Sequence, residues 1–188
     1  MTEATRVFTD IYDRKVWGAG SGGGSTPQHI RPYLGLVERI VEKEDPSVVL
    51  DIGCGNGLVA SCINWGYALY IGVDPVQSVI LEARARISRL NFIVADALSD
   101  SLLPAGLVLI KEVTQHLDTR SIVTLLQKLA SYPAVLHTSM IDAQPNRDIA
   151  MGDTRSVDLS LPPFNLPCET LLEYSVGETR YRSQMWRP

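Results

Sequence analysis

Apolar positions along the 188-residue chain change their spacing repeatedly, and each change marks an element. Val7, Phe8, Ile11 and Tyr12 share one helical face, which predicts a short amphipathic helix within residues 5–17. Ser25 or Thr26 before Pro27 reads as an N-cap with proline at the first helical position. Ile30, Leu34, Val37 and Val41 then recur at helical spacing to about Lys43, with Pro32 expected to delay the start and Asp45-Pro46 to end the helix. Beyond that point short apolar runs alternate with helical stretches. Strands are predicted at 47–52, 68–73, 91–94, 107–110 and 134–139, and helices at 57–64, 77–88 and 118–131. Asp118 is the expected N-cap of the last helix, with Ile122, Leu125, Leu126 and Leu129 facing inward. Such alternation implies a parallel sheet with helices on both faces. The pattern changes after Asp142. Residues 143–168 read as loop, with Pro145, Pro162, Pro163 and Pro167, and segments 171–174 and 181–186 flank Gly177 as a hairpin. The expectation is one α/β domain: five wound strands closed by an antiparallel pair.

The first strand carries the chemistry. Val48-Val-Leu-Asp-Ile-Gly-Cys-Gly-Asn-Gly57 runs from a buried strand through Asp51 into alternating Gly53, Gly55 and Gly57. Glycines there let the backbone turn sharply and pass close to a ligand. The spacing is G-x-G-x-G, with Leu58 where a dinucleotide fingerprint has its last glycine. A fixed carboxylate at Asp51 repels a pyrophosphate and attracts an ammonium or sulfonium. The loop therefore favours a nucleoside that is cationic at this end, and S-adenosylmethionine (SAM) is such a ligand. Asp74 ends the second strand nineteen residues after Gly55, near the spacing at which an acid reaches ribose hydroxyls. Asp96, after the third strand, is placed to accept from an adenine amino group.

Taken together, Val48–Gly57, Tyr70–Pro75, Phe92–Leu98 and Leu107–Leu117 resemble the motifs of class I SAM-dependent methyltransferases, in that family's order and over roughly residues 45–142. The resemblance implies a single Rossmann-like domain with a seven-stranded sheet whose last strand is antiparallel. Residues 1–45 would be an N-terminal cap segment and helix, 46–142 the SAM-binding core, and 143–188 an acceptor-side loop and closing hairpin. It places Gly53 and Gly55 against the methionine tail and Asp51 near its ammonium. Asp74 with Pro75 falls at the ribose, Asp96 with Ala97 at the adenine, and Lys111 and Glu112 beside the sulfonium. Trp17-Gly-x-Gly-Ser-Gly with Gly24-Ser25, and Leu161-Pro-Pro-Phe-Asn-Leu-Pro167, are similar to segments of small bacterial and phage methyltransferases of unknown substrate. That likeness implies a glycine-rich entry folded over the cofactor.

Methyl transfer needs alignment of a nucleophile and sometimes removal of its proton. His116, six residues past Ile110, is the candidate general base, with cofactor packing as its other role. Asp142 after the fifth strand is the candidate to contact substrate or orient the base. Trp17, Phe164 and Asn165 are candidates to line the acceptor pocket. His137 is expected buried and satisfied, and His29 exposed. Segment Lys111-Glu-Val-Thr replaces the Asp/Asn-Pro-Pro-Tyr of relatives that methylate amino groups of DNA bases, which disfavours that acceptor.

Bulk properties narrow the class further. A net charge of −4 argues against a partner held by phosphate attraction, without excluding nucleic acid. Arg84, Arg86 and Arg89, like Arg180, Arg182 and Arg187, read as solvated faces. Three cysteines without C-x-x-C spacing argue against disulfides and zinc, and no metal cluster is visible. Nothing resembles a signal peptide or a membrane span, so the expected compartment is the cytoplasm. The expected activity is methyl transfer from SAM to O or N of a small-molecule or sugar-like acceptor. An RNA or protein acceptor, or a non-catalytic SAM-binding role, stays open, as does the oligomeric state.

Overall fold

A computed structural model describes residues 1–18 and 20–188; Ala19, in the expected glycine-rich entry, lies outside the described residues. The elements run α1 (Glu3–Asp13), α2 (Pro27–Glu44), β1 (Val48–Ile52), α3 (Leu58–Ser61), β2 (Leu69–Asp74), α4 (Gln77–Arg86), β3 (Asn91–Val94), β4 (Leu107–Lys111), α5 (Thr119–Leu129), β5 (Val135–Ile141), β6 (Cys168–Val176) and β7 (Thr179–Trp186). The strands form one seven-stranded sheet in the order β3-β2-β1-β4-β5-β7-β6. The first five are parallel, and β7 runs antiparallel to both β5 and β6.

Both faces of the sheet are buried, and the two-residue side-chain period divides its apolar residues between two cores. Leu50, Ile52, Val108, Ile110 and Val135 pack under α1 and α5. Val49, Leu107, Leu109 and Leu136, on the alternate positions, pack under α2, α3 and α4. This alternation explains why the strands read as continuous apolar runs rather than as hydrophobic-polar alternation.

Several expected boundaries shift. Helix α2 starts at Pro27 and runs through Pro32. The proline forfeits one hydrogen bond in the second turn, but Tyr33, Leu36 and Val37 are fully buried on the helix, and their packing outweighs the loss. The helix expected at 57–64 is a single turn, Leu58–Ser61. Side chains compete for the backbone beyond it: Asn64 Oδ1 accepts from Gly66 N, Glu38 Oε1 accepts from Asn64 N, and Trp65 Nε1 donates to the Ala60 carbonyl. The closing hairpin is longer than expected at both ends.

Segment 143–168 has no helix or strand before Cys168, yet it is not loose. Val157 N donates to the Met140 carbonyl and Arg155 N to the Gln115 carbonyl. Asp158 is buried at 2 % exposure. Its carboxylate accepts from Ser160 N at 2.9 Å, Ser160 Oγ at 2.6 Å and Gln184 Nε2 at 2.9 Å, and pairs with Arg182. Arg182 therefore does not belong to a solvated face, since it bridges Asp158 and Glu173.

Asp158 is the carboxylate that fastens this segment to β7. Asp158→Ala is expected to lower unfolding stability by about 2–4 kcal/mol, because three donors lose a buried acceptor. Exposed Glu173→Gln should change it by less than ~1 kcal/mol. Urea unfolding of the two variants measures both; equal effects would show that burial of Asp158 does not matter.

Candidate functional site

A cavity of about 300 Å³ opens at the C-terminal ends of β1, β2 and β4, the usual ligand edge of a parallel sheet. Asp51, Gly53, Asp74, Pro75, Asp96, Ala97, Lys111, Glu112, His116 and Trp17 all line it. Gly55 lies in the same loop, its N–H on the Asp74 carboxylate.

The glycine turn is built by Asp74. Its Oδ2 accepts from Gly55 N at 3.1 Å and its Oδ1 from Val76 N at 3.0 Å, while Gly53 N donates to the Val73 carbonyl at 2.8 Å. Gly53, Gly55 and Gly57 all have left-handed φ, at 71°, 55° and 73°. At Gly55 a Cβ would also lie 2.2 Å from Ser21 Oγ, so only glycine fits beneath the N-terminal segment. Cys54 packs where a Cβ on Gly72 would reach its sulfur at 2.7 Å, and burial pushes its thiol pKa well up. It is a small, inert residue.

The carboxylates sit in unequal surroundings. Burial pushes the Asp51 carboxyl up to about 7, against the lowering by the Tyr70 hydroxyl that donates to it at 2.7 Å and by Lys111. Asp74 is raised to about 6, again by burial, with the Val76 and Gly55 amides opposing. Asp96 accepts from Leu98 N through Oδ1 and from the Thr2 hydroxyl through Oδ2. Lys111 pairs with Glu112 and donates to the Gly24 carbonyl at 2.8 Å; both side chains are nearly buried. Glu112 holds a left-handed φ of 57°, a strained conformation for a non-glycine residue.

At the far end of the cavity, His116 belongs to a 3-10 turn, Thr114–His116. Its ring packs against Trp17, centroids 4.7 Å apart. Its Nδ1 is 3.0 Å from the Asp153 carbonyl, which can only accept, so the neutral ring carries its proton on Nδ1. Nε2 is left with the lone pair, toward which the Gln115 amide nitrogen can donate weakly at 3.4 Å. Burial lowers the His116 pKa below the usual histidine value.

Three candidates fall outside the cavity, because the long segment is pinned against β7 rather than folded over the sheet edge. Asp142 is exposed and accepts from its neighbour Gln144 N at 2.8 Å. Phe164 packs into the core under α1 and α5, and Asn165 is exposed. His137 is buried as expected but only half satisfied: one ring nitrogen bonds Thr114 Oγ1 at 2.7 Å and Nδ1 has no partner among the described residues. Burial lowers its pKa to about 4. His29 is partly buried, bonded to Thr26 Oγ1 and edge-on to Tyr181.

Residues that the sequence pattern did not single out complete the lining: Tyr12, Ser21, Tyr33, Gln115 and Thr154. Ser21 Oγ accepts from Asn56 N at 2.9 Å, thirty-five residues away. No local periodicity carries such contacts. Only Ser21's place amid glycines in an otherwise unanchored stretch was a signal.

Residues 49–132 match the family model described as a methyltransferase domain. No curated protein matches the chain. Among solved structures, the N-methyltransferase NodS from Bradyrhizobium japonicum WM9, in complex with S-adenosyl-L-homocysteine, superposes with a TM-score of 0.74 at 16% identity, over 95% of this chain and 97% of that one. Residues 49–132 of this chain are a methyltransferase domain, and the whole chain has the fold of SAM-dependent methyltransferases. Magnesium protoporphyrin IX methyltransferase from Synechocystis PCC 6803, with bound SAM, gives a TM-score of 0.70 at 16% identity over 100% and 99% of the two chains. The 1,6-didemethyltoxoflavin-N1-methyltransferase of Burkholderia thailandensis gives 0.67 at 17% identity over 97% and 86%. Identities this low carry the fold and not the acceptor.

The methyltransferase's cavity suits SAM by its chemistry. Four lining carboxylates, Asp51, Asp74, Asp96 and Glu112, face one lysine that is already paired, an excess that favours a cationic ligand. The volume lies at the lower end of the ~300–1,000 Å³ of small-molecule sites.

The raised carboxyls make binding pH-dependent. In the free protein Asp51 and Asp74 hold protons at pH values where the unfolded chain has lost them. Their contribution to folding is therefore present below about pH 4 and is lost as pH rises through 6–7. A cationic ligand favours the ionised forms, so the sign reverses for binding. SAM affinity should rise at least about tenfold between pH 5.5 and 7.5, with proton release, and Asp51→Asn should flatten most of the rise. Titration calorimetry in two buffers of different ionisation enthalpy reads affinity and proton count; a flat profile would remove Asp51 from the cationic end of the site.

Proposed function

We propose that this methyltransferase moves a methyl group from SAM to an O or N atom of a small-molecule or sugar-like acceptor, with His116 as general base. The observation that carries the reading is the lining of the cavity around His116. Trp17 lies against His116 there, and Gly22, Gly23 and Gly24 of the chain's own N-terminal segment line the wall. A space of about 300 Å³ suits a small molecule. The small-molecule acceptors named for the toxoflavin and protoporphyrin methyltransferases of the same fold are in keeping with this.

In this reading the acidic end of the cavity holds the donor: Asp51 faces its ammonium, Asp74 with Pro75 its ribose, and Asp96 with Ala97 its adenine. SAM supplies an electrophilic methyl group. Lys111 and Glu112 flank the reacting region. Trp17 confines the acceptor, and His116 Nε2 takes the proton that its O–H or N–H gives up. The fixed Nδ1–H···O=C bond to Asp153 keeps Nε2 available, and the lowered pKa keeps the ring neutral near pH 7. Once protonated, the imidazolium is favoured by the Glu112 carboxylate. Among the described residues no helix is long and apolar enough to cross a membrane, and all three cysteines are free, with Cys62 exposed. A reducing cytoplasm is the compartment that suits them.

The direct test incubates the protein with methyl-labelled SAM and fractionated cell extract. Label is expected in the small-molecule fraction; label confined to RNA or protein would overturn the reading. With that acceptor, His116→Gln should slow single-turnover methylation about 10²–10⁴-fold while SAM affinity stays within about twofold. For the wild type, kcat/KM should fall as pH drops through a value below the usual histidine range, because the deprotonated ring is the active form. A near-normal rate in His116→Gln would reduce His116 to packing.

A further inference from the structure

Arg155 lies inside the pinned 143–168 segment. This residue is 2 % exposed, an unusual burial for a charged side chain. Its nearest carboxylate, Asp148, is 3.8 Å away and largely in solvent, with a side chain 69% exposed. A pair of that kind repays little of the cost of desolvating a guanidinium. The guanidinium instead donates to uncharged acceptors: the Leu117 carbonyl at 2.8 Å, the Arg147 carbonyl at 2.7 Å and Thr119 Oγ1 at 2.9 Å. Its Nε has no acceptor among the described residues. As a source of stability, this arrangement is poor. As a clamp, it is specific.

What the guanidinium clamps directly is Leu117, next to His116, while the backbone of its own turn holds Gln115 and His116. Arg155 N donates to the Gln115 carbonyl at 3.0 Å, Gly152 N to the His116 carbonyl at 2.8 Å, and Arg155 Nη2 to the Leu117 carbonyl. Three successive carbonyls are thus held by one short turn. The same turn presents the Asp153 carbonyl to His116 Nδ1, with Thr154 Oγ1 at 3.4 Å from that nitrogen. On the opposite side, the Gln115 amide is oriented because its Oε1 accepts from Met140 N and Ser139 Oγ. This directs its NH₂ toward Nε2 and away from Nδ1.

We propose that Arg155 is a positioning residue for His116: by binding residues 115–117 to the 152–155 turn, it holds the imidazole in the Nδ1–H tautomer with Nε2 directed at the acceptor. The inference rests on the reading of His116 as general base only for its catalytic meaning; the positioning itself is a statement about the ring. The charged groups around that ring are Glu112, after β4, and Asp153, whose carbonyl is the contact. The aromatic neighbour is Trp17. Arg155 does not line the cavity, so its effect reaches the acceptor through His116.

The chain has three histidines, and nitrogen NMR of the full-length protein with labelled histidine resolves them one by one. In the wild type, His116 is expected as a single Nδ1–H tautomer that titrates below the usual histidine value. In Arg155→Gln, a tautomer mixture should appear and its titration should move up by about half a pH unit or more as the turn loosens and water enters. Buried His137, bonded to Thr114, should be unchanged, which separates a local effect from global loosening. Arg155→Lys keeps the charge without the fork and should recover part of the tautomer bias. An unaltered His116 signal in folded Arg155→Gln overturns the proposal. Should both variants fail to fold, hydrogen exchange in the wild type decides: the Gly152 and Arg155 amides should exchange more slowly than those of residues 142–148, and fast exchange at both would overturn it. A full methylation rate in His116→Gln would end the general-base reading while leaving the NMR outcome to decide whether Arg155 positions the ring.

Discussion

The carboxylate of Asp74 is the hinge of this architecture. One oxygen holds Gly55 N–H and the other holds Val76 N–H, so a single side chain at the end of β2 fixes the turn after β1 and the start of the path into α4. Everything ligand-facing is built around that tie. The turn leaves the Gly55 amide directed inward and brings the loop beneath Ser21. It also keeps Asp51 next to β2, where the Tyr70 hydroxyl reaches it. Without an acceptor at Asp74, the left-handed glycines would have no reason to adopt one conformation among the many open to them. A backbone tie of this kind explains why one residue can be both structural and ligand-facing: each oxygen keeps lone-pair capacity after accepting its amide.

The half of the molecule built on local periodicity was legible in the chain. Val48–Ile52 followed by alternating glycines, Asp74 after the next apolar run, and the Asp118 cap with its Ile122, Leu125, Leu126 stripe all express rules that operate within one or two turns of chain. The five parallel strands and the closing antiparallel pair followed from alternation and from the hairpin at Gly177; their order in the sheet did not. What could not be read is what depends on closure over long sequence distances. Thr2 meets Asp96, Ser21 meets Asn56, and Lys111 meets Gly24; these contacts exist only because the N-terminal segment lies across a finished sheet. The proline-rich stretch was legible only in part for the same reason. Pro145, Pro162, Pro163 and Pro167 exclude regular structure, and the loop is there, but a loop reading does not say what holds it in place. Asn146 and Asp158 hold it: Asn146 Nδ2 donates to the Asp158 and Pro162 carbonyls, and Asp158 N donates back to Asn146 Oδ1. Side-chain amides can pin a segment as firmly as a ladder does, with no periodic trace in sequence. That pinning took Asp142, Phe164 and Asn165 away from the cavity and brought Thr154 to it.

The cavity divides into two chemically distinct ends. The end proposed for the donor is lined from residues 51–98, within the span that matches the methyltransferase family, by carboxylates and backbone. The other end draws on distant parts of the chain: Trp17 before α2, Gln115 and His116 after β4, and Thr154 in the long segment. A fold can therefore keep its donor chemistry while the acceptor end is rebuilt, since the two ends share almost no residues. Solved structures of this fold at 16–17% identity include N-methyltransferases and a 7-O-methyltransferase, which is what such a division permits.

Several unfavourable terms lie in the site or next to it. Asp51 and Asp74 are held in the lining where burial raises their pKa, and Glu112 sits there at positive φ; outside the lining, His137 Nδ1 and Arg155 Nε have no partner among the described residues. A core tuned for stability alone would replace each with an apolar residue, since a buried ion or unmatched polar atom costs more than the packing it provides. Elsewhere the same chain follows the ordinary rules: Leu107, Leu109, Leu125 and Leu136 are buried without a polar atom among them. The contrast has a physical meaning. The buried acids become less costly when a cation enters, because ionisation that burial opposes is then favoured by the ligand. Destabilisation of the free protein and affinity for a positively charged donor are thus two aspects of one arrangement of charge, and the fold tolerates the first because the wound sheet on either side supplies a core large enough to absorb it.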